Sequence, residues 1–156
     1  DVSIHEGFNL IHGHWRALNY VNNVNGTAIA LPAGVHGLSN SFLNTPWPKV
    51  ERAKNAMRSI VQQEEPGMEE LFELLANEDL APDEVLPDTG IDREWERLLS
   101  AVRIKAEGYG TRCSTVLMID NEGRAVIEER TWDGGIPVIT GFELDLNTDP
   151  TAFQRS

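Results

Sequence analysis

The hydrophobic positions change their spacing twice along the chain. Short apolar runs open it. Gly7-Phe8-Asn9-Leu10-Ile11 reads as one strand and Trp15 to Val21 as a second, with His12-Gly13-His14 turning between them. Asn22 to Gly26 closes in Asn-Gly, a pair that suits hairpin positions needing positive φ. Thr27 to Leu31 makes a third strand and Val35 to Asn40 a fourth. The period then lengthens. Val50, Met57, Ile60 and Val61 keep to one helical face between Pro46 and Gln63, with Thr45 placed to cap and Pro46 at the first helical position. Pro66-Gly67 breaks that helix. Met68, Leu71, Phe72 and Leu75 recur at i, i+3, i+4 and i+7 and predict a second helix ending near Asn77. Asp79 to Gly90 reads as an exposed connection. Trp95, Leu98, Leu99 and Val102 predict a third, short helix capped by Asp92.

The spacing shortens again after Gly110. Val116-Leu117-Met118-Ile119 is a continuous apolar run inside Ser114 to Ile119, the pattern of a strand covered on both faces. Asp120-Asn121-Glu122-Gly123 turns the chain into Arg124–Thr131. Beyond Asp133-Gly134-Gly135, the residues Ile136, Val138, Phe142, Leu144 and Leu146 alternate and share one face, with Thr140 among them. Asn147 to Ser156 reads as a polar, frayed tail. Strands, then helices, then strands is an α+β order with antiparallel pairing, not the alternation of a doubly wound sheet. Residues 1–156 are one domain's worth of chain, and no boundary divides them.

Charge narrows the partners. The net charge of −12 argues against nucleic acid and against an anionic membrane surface. No apolar run approaches a membrane span, so no integral membrane segment is expected, and no secretory signal opens the sequence. Thirteen acidic residues lie between Glu64 and Leu99, opposed only by Arg93 and Arg97. They read as a solvated helical face, with a docking patch for a basic partner as the sharper alternative. The single cysteine, Cys113, excludes an internal disulfide. It reads as a small buried strand residue.

Two stretches concentrate polar chemistry. Gly37-Leu38-Ser39-Asn40-Ser41 sets hydrogen-bonding side chains at a strand end, ahead of the Thr45-Pro46-Trp47-Pro48 corner. Tyr109-Gly110-Thr111-Arg112-Cys113-Ser114-Thr115 carries an arginine flanked by hydroxyls into an apolar strand. Such an arginine needs a partner: a structural carboxylate, a ligand anion or a row of carbonyls. His12 and His14 lie two apart, but Gly13 and the lack of an acidic or cysteine partner argue against a metal site. His36 reads as a packed or edge histidine of the fourth strand. No phosphate loop and no Gly-x-Ser-x-Gly elbow occurs.

Taken together, Gly7–Ile11, Gly37–Asn40 with Thr45-Pro46-Trp47-Pro48-Lys49, and Tyr109–Val116 resemble the NRDE family, the family of the transport and Golgi organisation protein 2. The similarity is to its C-terminal part. The Asn-Arg-Asp-Glu motif and the cysteine after the initiator methionine are absent, which implies that an N-terminal portion of the same protein is missing. The resemblance implies an N-terminal nucleophile hydrolase-like fold, an antiparallel two-sheet sandwich flanked by helices. It implies, for Asn40, an oxyanion-stabilising role and, for Arg112, stabilisation of charge. It further implies a cytoplasmic protein that traffics haem or a similar apolar ligand, with Arg112 facing the propionates and His12, His14 or His36 as axial candidates. No cofactor is required under that reading. The alternative is a C–N amidohydrolase acting on an amide-containing ligand through the absent cysteine.

Overall fold

The computed structural model describes residues 6–132 and 136–147. The turn expected at Asp133-Gly134-Gly135 and the tail beyond Asn147 lie outside those residues. The described chain is mixed α/β, with three small antiparallel sheets in place of the expected two.

The first sheet contains β1 (Asn9–His14), β2 (Ala17–Asn22) and β3 (Ala28–Ala30), in that order. β1 runs through His12-Gly13-His14, so the turn starts three residues later than expected, at Trp15-Arg16. The Asn-rich turn after β2 is built as its composition predicts. Asn22 Oδ1 accepts from the N–H groups of Val24 and Asn25, and Asn22 N–H donates to Thr27 O.

Val35 to Asn40 is not a strand. Asn44 takes both backbone groups of Gly37, at the centre of that segment, which a ladder would have used. Gly37 N–H donates to Asn44 Oδ1 at 2.9 Å, and Asn44 N–H donates to Gly37 O at 2.7 Å. A Cβ on Gly37 would stand 2.6 Å from Val50 Cγ1, so only glycine lets the loop lie this close to the next helix. That helix, α1 (Pro48–Ile60), starts two residues later than expected. Trp47, squeezed between two prolines, is held extended at ψ 149°, because the residue before a proline avoids the α region. Thr45 therefore caps nothing. Its hydroxyl donates to Phe42 O and Ser41 Oγ.

α2 (Met68–Leu75) follows the Pro66-Gly67 break, and Glu70 reaches back to accept from Gly67 N–H. The connection to α3 (Arg93–Leu98) is less exposed than its composition implies. It contains a 3₁₀ turn at Asp83–Val85 and buries Ala81 and Leu86. Asp92 caps α3 as expected, accepting from Glu94 N–H at 2.8 Å. The helix is rotated from its expected face, however. Trp95 is 41% exposed and meets Tyr109 edge-on, while Glu96 is buried.

A two-stranded ribbon, β4 (Lys105–Ala106) with β5 (Tyr109–Gly110), leads into the third sheet, β6 (Cys113–Ile119), β7 (Arg124–Thr131) and β8 (Ile139–Asp145). α2 packs on one face of that sheet, where Ser114 and Val116 are buried. β6 is not covered on both faces. Leu117, Ile127 and Phe142 form a cross-strand row on the other face, with Leu117 54% and Phe142 62% exposed. The alternation expected for β8 is present, but its apolar side meets no packed layer among the described residues. No helix of the described residues is long and apolar enough to cross a membrane.

Candidate functional site

Asn40 sits on the loop between β3 and α1, and a buried polar cluster holds that loop to the first sheet. Asn9 Nδ2 donates to Ser41 O at 2.9 Å, and Leu43 N–H donates to the hydroxyl of Tyr20. Asn9 Oδ1 accepts from both Tyr20 Oη and Asn22 Nδ2. The side-chain amide of Asn40 forms no hydrogen bond with any described residue and lines a cavity of about 350 Å³. Its walls are the Trp47-Pro48-Lys49 corner, Pro87 and Thr89, the C-terminal end of α3, Ile104 and Tyr109. A second cavity, about 400 Å³ and mostly apolar, runs behind Asn40 and Lys49 toward Met57, Leu74 and Val102.

Arg112 lines a third cavity of about 500 Å³ with Arg103, Lys105 and Trp132. The ribbon before it is pinned by Ile104 N–H donating to Thr111 Oγ1 and Thr111 N–H donating to Ile104 O. A Cβ on Gly110 would lie 2.8 Å from Ile104 O, which explains the glycine there. The Arg112 guanidinium and the Lys105 ammonium have no partner among the described residues. Arg103 pairs with Glu78 at 2.8 Å and lies 3.9 Å from the centre of the Trp132 ring. Ile104 and Tyr109 line both the Arg112 cavity and the Asn40 cavity. Asn40 and Arg112 therefore occupy adjoining hollows divided by one shared wall, not facing sides of one cleft.

The histidines are placed less favourably for a ligand. Both ring nitrogens of His36 are engaged, Nε2 with Pro32 O at 2.9 Å and Nδ1 with Asn44 Nδ2 at 3.2 Å. That pattern fixes a proton on Nε2 and holds His36 as a loop strut outside any strand. His12 and His14 are exposed on β1 and line none of the three cavities. Cys113 is only half-buried, at the start of β6.

The family model described as Transport and Golgi organisation 2 matches residues 1–134. The chain belongs to that family. It is 34% identical over 150 residues to the Transport and Golgi organization protein 2 homolog of Bos taurus, covering 86% of this chain and 54% of the relative. With the Homo sapiens homolog it shares 30% identity over 142 residues, covering 82% and 51%. The chain thus spans about half the length of the curated relatives it matches. Of the three stretches on which the resemblance rests, the two around Asn40 and around Arg112 line the adjoining cavities.

Sequence reasoning missed Lys49 and Glu96, which stand in the Asn40 cavity. Burial holds the Lys49 ammonium below the usual lysine range. One signal was available for it. A lysine at the second position of a helix opposes the positive end of the helix dipole, where acids are preferred. Glu96 carried no such signal, lying within a run of acids that read as uniformly solvated.

Proposed function

We propose that this chain contributes one side of a binding cleft for an apolar ligand bearing carboxylates, with haem as the ligand to test first, in trafficking within the cytoplasm. One observation supports the reading. A mostly apolar hollow adjoins a cationic one, and in a chain of net charge −12 two of the cations there, Lys105 and Arg112, have no partner among the described residues. A macrocycle with propionates has that division of chemistry. With the His36 ring engaged at both nitrogens, anchoring falls to the carboxylates. A longer family member would complete the cleft with its N-terminal portion, in an N-terminal nucleophile-like sandwich. The test is a titration of the full chain with haem, followed in the Soret band. Saturable binding that weakens about tenfold in Arg112→Met supports the reading. Absence of a saturable shift removes haem, and an unaffected Arg112→Met removes the anchor.

A second reading is a C–N hydrolase, favoured by the unbonded Asn40 amide on the cavity wall, where a donor about 3 Å from a developing oxyanion would act. Hydrolysis of acyl amides by a full-length family member, lost in Asn40→Ala, would support it. No turnover, or turnover indifferent to Asn40→Ala, would remove the role.

A further inference from the structure

Two opposite charges line the Asn40 cavity, and neither forms an ion pair with a described residue. Lys49 is half-buried at the start of α1. Its ammonium makes no hydrogen bond or ion pair with a described residue and lies 5.8 Å from the centre of the Trp47 ring. Glu96, on α3, is 5% exposed. Its Oε1 accepts from Thr89 N–H at 2.7 Å and from the Thr89 hydroxyl at 2.5 Å, while Oε2 accepts from no described residue. Both side chains line the one cavity, yet they do not come within ion-pair distance of each other.

Each arrangement leaves a charge unmatched. The unbonded Oε2 of Glu96 is not a fully buried atom, so it stays open to a positive or hydrogen-bond-donating group in the cavity it lines. A desolvated ammonium at a helix N-terminus is opposed by the helix dipole. A single molecule carrying both complementary charges would relieve both. Between them the cavity offers aromatic and aliphatic surface from Trp47, Tyr109 and Leu99, and its volume of about 350 Å³ lies in the range of small-molecule sites.

We propose that this cavity binds a small zwitterion with an apolar body, an apolar amino acid or short apolar peptide, its carboxylate on Lys49 and its ammonium on Glu96. A carboxylate-only ligand would leave Glu96 uncompensated and bring a second negative charge toward it. An amine-only ligand would do the converse to Lys49. The zwitterion therefore gains twice where singly charged analogues gain once and lose once.

The probes are L-phenylalanine and the dipeptide Leu-Phe, whose charged ends are differently spaced. Each is titrated calorimetrically into the full chain beside its N-acetyl form and its methyl ester. Saturable binding of at least one parent is expected, weakened at least about tenfold by either cap. Lys49→Met should bind parent and ester alike. Glu96→Gln, which keeps an acceptor for Thr89, should bind parent and N-acetyl form alike. A residue with a merely structural role would not erase discrimination at one end of the ligand while preserving it at the other. If neither parent binds, or if the capped forms bind as well as the parents, the proposal is overturned. Should Glu96→Gln fail to fold, the capped series on the unaltered chain still decides. The haem reading is tested on Arg112 and this one on Lys49 and Glu96, so each can fail separately.

Discussion

Tyr20 donates its hydroxyl hydrogen to Asn9 Oδ1 at 2.6 Å, and the same hydroxyl accepts from Leu43 N–H. The tyrosine is 2% exposed, so it fastens the loop carrying Asn40 to the first sheet from inside the protein. In Tyr20→Phe, Asn9 Oδ1 keeps Asn22 as a donor, but Leu43 N–H loses its acceptor. A cost of about 1–2 kcal/mol is expected, read as a lower urea midpoint with an unchanged m-value. Ligand affinity should fall with it. An unchanged midpoint would mean that the loop is held by other contacts.

Asn40→Ala and Arg112→Met should behave in the opposite way. Neither side chain is bonded within the described chain, so melting temperatures should stay within about 2 °C of the parent. Binding or turnover, whichever the full protein performs, should change. A large drop in melting temperature would assign these residues to stability instead.

Arg130 ties β7 to α2 across 61 residues of sequence. Its guanidinium donates to both carboxylate oxygens of Glu69, at 2.9 and 2.7 Å, and lies 3.8 Å from the centre of the buried Phe72 ring. Arg130→Ala removes two ion pairs, with Glu69 and with Glu128, a ring contact and the cover over Phe72, and should destabilise by about 2 kcal/mol. Glu69→Gln should cost much less, because the carboxylate is exposed to solvent. Comparing the two denaturation curves separates packing from charge.

Acid should weaken the fold in a defined window. Hydrogen bonds from Arg130, Arg97 and Arg124 hold Glu69, Asp83 and Asp120, respectively, below the usual carboxylate range. A carboxyl whose folded value is depressed contributes fully above its unfolded value. That contribution is lost as pH falls through the folded value. Stability should therefore hold down to about pH 4–5 and decline below it. Lys49 runs the other way. Its folded value is lowered, so its desolvation penalty is present at neutral pH and relieved in strong base. Lys49→Met should accordingly raise the neutral melting temperature while removing carboxylate recognition.

Residues whose surroundings are local were legible in the sequence. The Asn-rich turn, the Pro66-Gly67 break, the Asp92 cap and the pairing of β6 with β7 all follow from neighbours a few positions away. Val35–Asn40 was misread because its alternation resembles a strand, while its backbone bonds are taken by Asn44, seven residues from Gly37. The rotation of α3 was hidden for a similar reason. Trp95 outranks Glu96 on any hydrophobic scale, yet Thr89 supplies two donors that make burial of the glutamate tolerable. Asn40 and Arg112 were singled out by residue type and resemblance. Their separation by the Ile104–Tyr109 wall depends on how the ribbon folds, which no spacing encodes. Lys49 and Glu96 matter through a cavity that exists only once the Trp47 corner and α3 have come together.

The row of Leu117, Ile127 and Phe142, its two ends exposed among the described residues, has a colloidal consequence. Water wets that side of the third sheet poorly, and hydrophobic adhesion draws such surfaces together. The −12 net charge opposes the approach. The balance is set by the counter-ion cloud, whose thickness shrinks from about 30 Å at 0.01 M salt to about 10 Å at 0.1 M. Light scattering from this chain should therefore rise with added salt, the reverse of what an association held together by ion pairs would show.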